Sequence, residues 1–74
     1  MTTNFWTTLQ IAYYNMGVEL EHLGKLKESI TSLEKAKKIS ELHLNEPESE
    51  MVQIIQRNIN DVTRKLEQRT KVRH

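Results

Sequence analysis

The sequence predicts an all-α fold: an antiparallel helix-turn-helix hairpin followed by a third, capping helix. Apolar residues recur at the helical spacing of three and four along three segments of the 74-residue chain. Glycine occurs twice and proline once, too rarely for the many turns of a β protein. Gly24 and Pro47 separate the three segments. We therefore expect one helical domain over residues 1–74, with helices at 5–23, 25–43 and 47–69 and a frayed basic tail at 70–74.

The first helix is predicted to begin near Phe5, because residues that favour the N-cap occupy Thr2 to Asn4. Gly24 has no Cβ, so it can take the left-handed conformation that ends a helix and reverses the chain. Five residues of this helix form an apolar stripe that we expect to face the second helix: Leu9, Tyr13, Met16, Leu20 and Leu23.

The second and third helices each carry one apolar face. In the second helix, the residues expected to pack on the first helix are Leu26, Ile30, Leu33, Ala36 and Ile39. Pro47 fits the first turn of a helix, where acidic residues also favour the positive end of the dipole, so we expect the third helix to begin there. Its apolar face consists of Met51, Val52, Ile54, Ile55, Ile59, Val62 and Leu66.

Composition restricts the compartment. The chain has no cysteine, which removes disulfides and thiolate metal sites and fits a reducing environment. No apolar run reaches the roughly 18 to 20 residues of a membrane span, and residues 1–6 lack the basic start and apolar core of a signal peptide. These features predict a soluble, cytoplasmic chain without membrane contact.

Catalysis and cofactor binding find no residues to carry them. The three histidines lie on three different segments, without the spacing of a zinc site. Gly17 and Gly24 are isolated and form no phosphate-binding loop. Ser29 and Ser32 lack an assignable base. We expect no enzyme: no catalytic residue, no cofactor and no metal.

The hairpin resembles the tetratricopeptide repeat (TPR), whose signature is Trp-x-x-Leu-Gly-x-x-Tyr, then Ala-x-x-x-Phe, then Pro. The positions that match are Tyr13, Met16, Gly17, Leu20, Gly24, Ser29, Leu33 and Ala36. The match covers residues 11–40. Ser29 stands where the family usually has Ala, and Glu41 where it often has Pro. The resemblance implies one repeat plus a C-terminal capping helix, in which Gly17 and Ala36 let two helices approach closely.

The third helix resembles the opening of another repeat. Met16 and Ile59 would then be equivalent positions 43 residues apart, which is similar to the long-period repeats of the kinesin light chain type. Asn60 stands where the family has Gly or Ala, which is consistent with a terminal cap. Polar residues expected on its uncovered face are Asn58, Asn60, Asp61, Arg64 and Lys65. The resemblance implies a cytoskeletal or ciliary setting.

Partner-binding residues are expected on the side of the first helix that lines the concave groove in the family. They are Ile11, Tyr14, Asn15, Val18 and His22, with Trp6 as a further contact. A groove that grips a C-terminal carboxylate would need Lys, Arg and Asn there, and only Asn15 fits. In the alternative interpretation, Tyr14 and Val18 pack on a neighbouring helix of the same assembly.

The C-terminal end is basic. Positive charge is concentrated in residues 64–74, where Arg69, Lys71 and Arg73 are candidates for an electrostatic contact. The simpler interpretation is that cations suit the negative end of a helix dipole. Binding of nucleic acid would need aromatic residues between the cations, and these are missing.

The function expected from these features is a non-catalytic protein-interaction or scaffold module. It would contribute a TPR-like helical surface to a larger assembly, through other subunits or through self-association. Two alternatives stay open: a small helical nucleic-acid binder with a basic tail, and a structural three-helix bundle or oligomer.

Overall fold

A computed structural model describes residues 3–72, and it is built of three helices. They are α1 (Thr3–His22), α2 (Leu26–Leu42) and α3 (Glu50–Val72). This confirms the all-α prediction of a hairpin followed by a third helix. α1 packs along α2 and α2 along α3, whereas α1 and α3 meet at only a few points. The described chain is therefore an elongated slab of 49 × 21 × 15 Å with α2 between the other two helices.

The turn between α1 and α2 has the geometry predicted for Gly24. Its φ angle is +80°, in the left-handed region. The Gly24 N–H donates to the Glu21 carbonyl at 3.0 Å, and the Lys25 N–H donates to the Leu20 carbonyl at 2.9 Å. This pair of bonds is the Schellman motif, which satisfies the last carbonyls of α1 and turns the chain antiparallel.

The predicted start of the third helix at Pro47 is wrong. Pro47 and Glu48 instead form a turn, in which the Ser49 N–H donates to the Glu46 carbonyl at 3.3 Å. Ser49 then caps α3, because its Oγ accepts from the Val52 N–H at 3.2 Å. Proline favours the second position of a turn as strongly as the first turn of a helix, and the serine after it supplied a better cap.

The other end of α3 also differs from prediction. The helix continues to Val72, so the part of the expected frayed tail that the structure describes is helical. Residues 73–74 lie outside the described residues. The Arg69 guanidinium explains part of this extension, because it donates to the Gly24 carbonyl at 3.0 Å and holds the end of α3 against the α1–α2 turn.

The core lies between α2 and α3. The apolar face predicted for α3 is buried there, whereas the α2 residues that were expected to face α1 pack against α3 as well. From α2 it takes Leu26, Leu33, Ala36 and Ile39, and from α3 it takes Val52, Ile55, Ile59 and Val62, all of them buried. Ile30, Met51 and Leu66 pack against it from the edge. Since α3 is apolar on only one side, its orientation follows from its sequence.

The predicted inner stripe of α1 is confirmed at Tyr13, which packs against the core, and is wrong at Met16 and Leu23. Met16 is 51% exposed and Leu23 is 66% exposed, while Leu9, Tyr13 and Leu20 are only half-buried. The buried positions of α1 are instead Gln10 and Gly17. α1 is therefore rotated so that its smallest residue, and not its apolar stripe, faces α2.

Close packing and hydrogen bonds explain this rotation. A Cβ added at Gly17 would lie 2.7 Å from the Leu33 side chain and 3.3 Å from the Ser29 carbonyl, so only glycine allows the helices to approach so closely. The Ser29 hydroxyl donates to the Gly17 carbonyl at 2.7 Å, and the Ser32 hydroxyl donates to the Tyr13 carbonyl at 2.7 Å. Each carbonyl uses its second lone pair, which leaves the helical bonds of α1 intact.

Gln10 completes the polar contact between α1 and α2. Its Nε2 donates to the Ala36 carbonyl at 3.2 Å and to the Ser40 hydroxyl. Gln10 and Ser40 are both buried, and burial of an amide is tolerated when its hydrogen bonds are made. The interface between α1 and α2 therefore combines small residues with hydrogen bonds. The large apolar residues of α1, such as Phe5, Met16 and Leu23, stay on its exposed side.

Candidate functional site

The rotation of α1 leaves an apolar surface uncovered on the side away from α3. We name it the α1 stripe, and it consists of Phe5, Leu9, Ala12, Met16, Leu20 and Leu23. Phe5 is 45% exposed, and Met16 and Leu23 are more exposed still. Leu42 of α2, which is 72% exposed, adds a further apolar side chain to the surface of the hairpin. Contiguous exposed apolar residues on a small chain mark a contact surface more often than isolated ones do.

The outer face of α3 has the opposite character. Its exposed residues are Gln53, Arg57, Asn60, Asp61, Arg64 and Glu67. Asn60, Asp61 and Arg64 thus lie where the sequence predicts a polar cap. Asn58 and Lys65 do not: they turn toward α1, where each has a hydrogen-bond partner. One outer helix of the slab is therefore polar, and the other is apolar.

Of the residues predicted to bind a partner, Tyr14 contacts α3, and His22 lines a groove together with Lys65 and Arg69 of α3. Ile11 is 45% exposed, Asn15 and His22 are exposed, and Val18 is half-buried. Tyr14 packs against the core, and its hydroxyl accepts from the Asn58 Nδ2 at 3.3 Å. The alternative expectation, that Tyr14 packs on a neighbouring helix, thus describes its position within this chain.

Trp6 has a partner inside the chain. Its indole stacks on the His43 ring, with centroids 3.6 Å apart and planes at 1°. Phe5 contacts the same indole edge-on at 5.1 Å. This pair joins the start of α1 to the end of α2, so Trp6 fixes the open end of the hairpin while Phe5 remains available to the α1 stripe.

The basic residues near the end of α3 make local contacts. Lys65 donates to Glu21 at 2.5 Å, Arg64 lies 3.4 Å from Asp61, and Arg69 binds the Gly24 carbonyl. The side chain of Lys71 and all of Arg73 lie outside the described residues. The described cations of this end are therefore engaged in holding α3 to itself and to α1.

The described residues form no arrangement of groups that would bind a metal ion. Within residues 3–72, no three His, Asp or Glu side chains come together where they could hold a metal ion. Ser29 and Ser32 donate their hydroxyl hydrogens to backbone carbonyls in the α1–α2 contact. None of the described helices combines the length and the apolar character needed to cross a membrane.

Comparison with protein-family models, curated proteins and solved structures gave no match to this chain. The TPR resemblance thus remains a prediction that depends on the quoted residues.

Sequence reasoning missed the α1 stripe as an outer surface. It placed Leu9, Met16 and Leu23 inside because their spacing is helical, and spacing does not say which of two apolar sides is covered. The signal that decides is the set of small residues Gly17, Ser29, Ser32 and Ala36, which marks the line of closest helix approach. Gln10 gave no signal, because a glutamine on a helix is exposed by default.

Proposed function

We propose that this chain is a non-catalytic protein-interaction module, which contributes a helical surface to a larger assembly through the α1 stripe. The observation that carries the proposal is the exposure of Phe5, Met16 and Leu23 on one side of α1, while the outer side of α3 is polar. Leaving such side chains in water forfeits about 25 cal/mol for each Å² of apolar surface, which a docked partner would recover.

A TPR-like arrangement of the helices is part of this proposal. Two observations support it. Gly17 allows the close helix contact that the resemblance implies. The Asn58–Tyr14 and Lys65–Glu21 contacts both join residues 44 apart, so α3 runs parallel to α1 at an offset near the expected long period. Contact mainly between neighbours in sequence is also the habit of stacked repeats.

The resemblance to long-period repeats suggests where to look for the partner. Assemblies of the cytoplasm, and among them those of the cytoskeleton or the cilium, are the first to test. The side of α1 that carries the exposed Ile11 and the half-buried Val18 is the second surface of the module.

Photo-crosslinking from defined positions tests the function. Benzoylphenylalanine is placed at Met16 in the α1 stripe, at Ile11 on the second surface, and at Asn60 on the polar face of α3 as the matched control. We expect a protein adduct from Met16 in cells of the native source, and none from Asn60. Equal labelling from all three positions, or none from Met16, would refute the proposed function.

A further inference from the structure

The α1 stripe and one side of α2 form a continuous surface. Met16 and Leu20 line a shallow groove together with Glu28, Thr31 and Lys35 of α2. Leu42 follows Lys35 by seven residues, so it lies on the same line of α2. Among the residues that the structure describes, all the exposed large apolar side chains except Ile11 therefore lie on this one surface.

Four of the six residues of the α1 stripe can pair with one another across a two-fold axis. If two copies of α1 pair antiparallel about Tyr14, each residue meets the one equally far on the other side of Tyr14. Ala12 then lies opposite Met16, and Phe5 lies opposite Leu23. A shallow groove beside Ala12, lined also by Phe5, Thr8 and Leu9, is open to receive the Met16 side chain. Alternation of small and large residues across a contact is how helices interdigitate.

The charges of α2 follow the same symmetry. The Ser32–Tyr13 and Ser29–Gly17 hydrogen bonds fix the register of the hairpin and set the midpoint of Thr31 and Ser32 level with Tyr14. A two-fold axis at that level brings Glu28 of each copy opposite Lys35 of the other. Among the residues that the structure describes, neither side chain takes part in an ion pair within one chain. A second copy would supply two such pairs.

The ends of the surface fit as well. His43 stacks on Trp6, so the neighbouring Leu42 lies at the same end of the hairpin as Phe5. The Leu23 side chain of a second copy, placed opposite Phe5, would reach Leu42 too. Leu23 and Leu42 are the two most exposed of the large apolar residues that the structure describes, and they lie at opposite ends of one chain.

Symmetry also limits the assembly to two copies. A head-to-tail stack would place the α1 stripe against the polar outer face of α3, where Arg57, Asn60 and Arg64 are exposed. A two-fold contact uses the stripe of both copies and leaves α3 on the outside. No stripe then remains for a third copy, so the assembly is a closed dimer. A surface about 30 Å long and about 20 Å wide on each copy buries roughly 1,200 Å² in total, the lower end of stable interfaces.

From these observations we propose that a second copy of this chain covers the α1 stripe, in an antiparallel homodimer whose two-fold axis passes Tyr14 of α1 and the Thr31–Ser32 step of α2. The inference rests on the proposed function and names its partner. In the dimer, α1 and α2 of both copies form a four-helix core.

Charge exchange at the two ion pairs tests the dimer by analytical ultracentrifugation over a dilution series. Glu28→Lys places two lysines opposite each other at both pairs, and Lys35→Glu does the same with two glutamates. We expect each variant to dimerise about tenfold more weakly than wild type, because two attractions become two repulsions. The double variant, and an equimolar mixture of the two single variants, restore both attractions and should dimerise like wild type.

Three results would overturn the inference: a wild-type chain that is monomeric throughout the series, single variants that dimerise like wild type, or a mixture no tighter than its components. Thr31→Cys provides an independent measurement, since the chain has no native cysteine. A short bismaleimide should join two Thr31→Cys chains but not two Asn60→Cys chains.

Failure of the dimer is distinguishable from failure of the proposed function. If the chain sediments as a monomer while benzoylphenylalanine at Met16 labels a different protein, the homodimer is refuted and the docking function stands. If Met16 labels nothing, both are refuted.

Discussion

Gly17 and Gly24 are the two residues whose lack of a side chain shapes the hairpin, for different reasons. At Gly17 a Cβ would lie 2.7 Å from Leu33, whose side chain is fully buried. At Gly24 a Cβ would lie 3.5 Å from the Arg69 guanidinium, an ordinary contact, so only the positive φ angle opposes it. The first site is limited by packing and the second by backbone conformation.

We therefore expect Gly17→Leu to destabilise the chain far more than Gly24→Ala. Overpacking between helices typically costs about 1 to 3 kcal/mol and is greatest for a side chain as large as leucine, whereas a left-handed non-glycine residue costs about 1 to 2 kcal/mol. Urea denaturation followed by circular dichroism measures both. Asn15→Leu, an exposed position on the same helix, is the control and should change stability little. Equal midpoints for the two glycine variants would contradict the close approach of α1 and α2.

Ser29, like Ser32, donates a hydrogen bond from α2 to the backbone of α1. Ser29→Ala removes the hydroxyl that donates to the Gly17 carbonyl, while that carbonyl keeps its helical bond. We expect a loss of about 1 kcal/mol in the free energy of unfolding. Thr31→Ala is the matched control, because its hydroxyl bonds the Lys27 carbonyl on the exposed side of α2. A loss no larger than that of the control would show that packing alone sets the rotation of α1.

At the scale of the element, the start of α3 separates the effects of Ser49 and Pro47. The Ser49 Oγ accepts from the Val52 N–H, one of the four N–H groups that a helix start leaves without a partner. Ser49→Ala should therefore lower stability by about 1 kcal/mol. Pro47→Ala changes only a turn residue and should lower stability less. Chemical denaturation measures both variants. A larger loss of stability from Pro47→Ala than from Ser49→Ala would indicate that α3 begins at the proline.

The three helices differ in how far their orientation follows from sequence. α2 and α3 confine their apolar residues to one side, and the residues predicted for their faces are the ones that pack. α1 has apolar residues on two sides, one containing Met16 and the other containing Ile11 and Tyr14. Periodicity then has two solutions. The choice was made by a steric limit at Gly17, which hydropathy does not register.

The candidate site was only partly predictable for the same reason. Ile11, Asn15 and His22 are exposed, because neither α2 nor α3 covers their side of α1. Trp6 and Tyr14 found partners in His43 and Asn58, which lie 37 and 44 residues further along the chain. Contacts at that separation depend on the relative placement of helices, and no local pattern records them.

At the scale of the whole molecule, the slab has one well-covered core and one open side. α2 is packed on both sides, whereas α1 is held mainly by hydrogen bonds and small residues. A chain of this length buries a limited fraction of its apolar surface, and its stability is correspondingly marginal. Whatever covers the α1 stripe therefore contributes a large share of the total stability.

We expect the thermal stability of the isolated chain to depend on its concentration. A partner that binds only the folded chain raises stability by mass action, and in a homodimer that partner is the protein itself. Melting curves by circular dichroism across a dilution series should move to lower temperature on dilution, with loss of helix at the lowest concentrations. Glu28→Lys should melt further below wild type at high concentration, where the dimer forms, than at high dilution, where only the unfavourable charge in the first turn of α2 remains. A sharp melt that ignores concentration would mean that the α1–α2 contact and the α2–α3 core suffice alone, and that the exposed stripe adds nothing to folding.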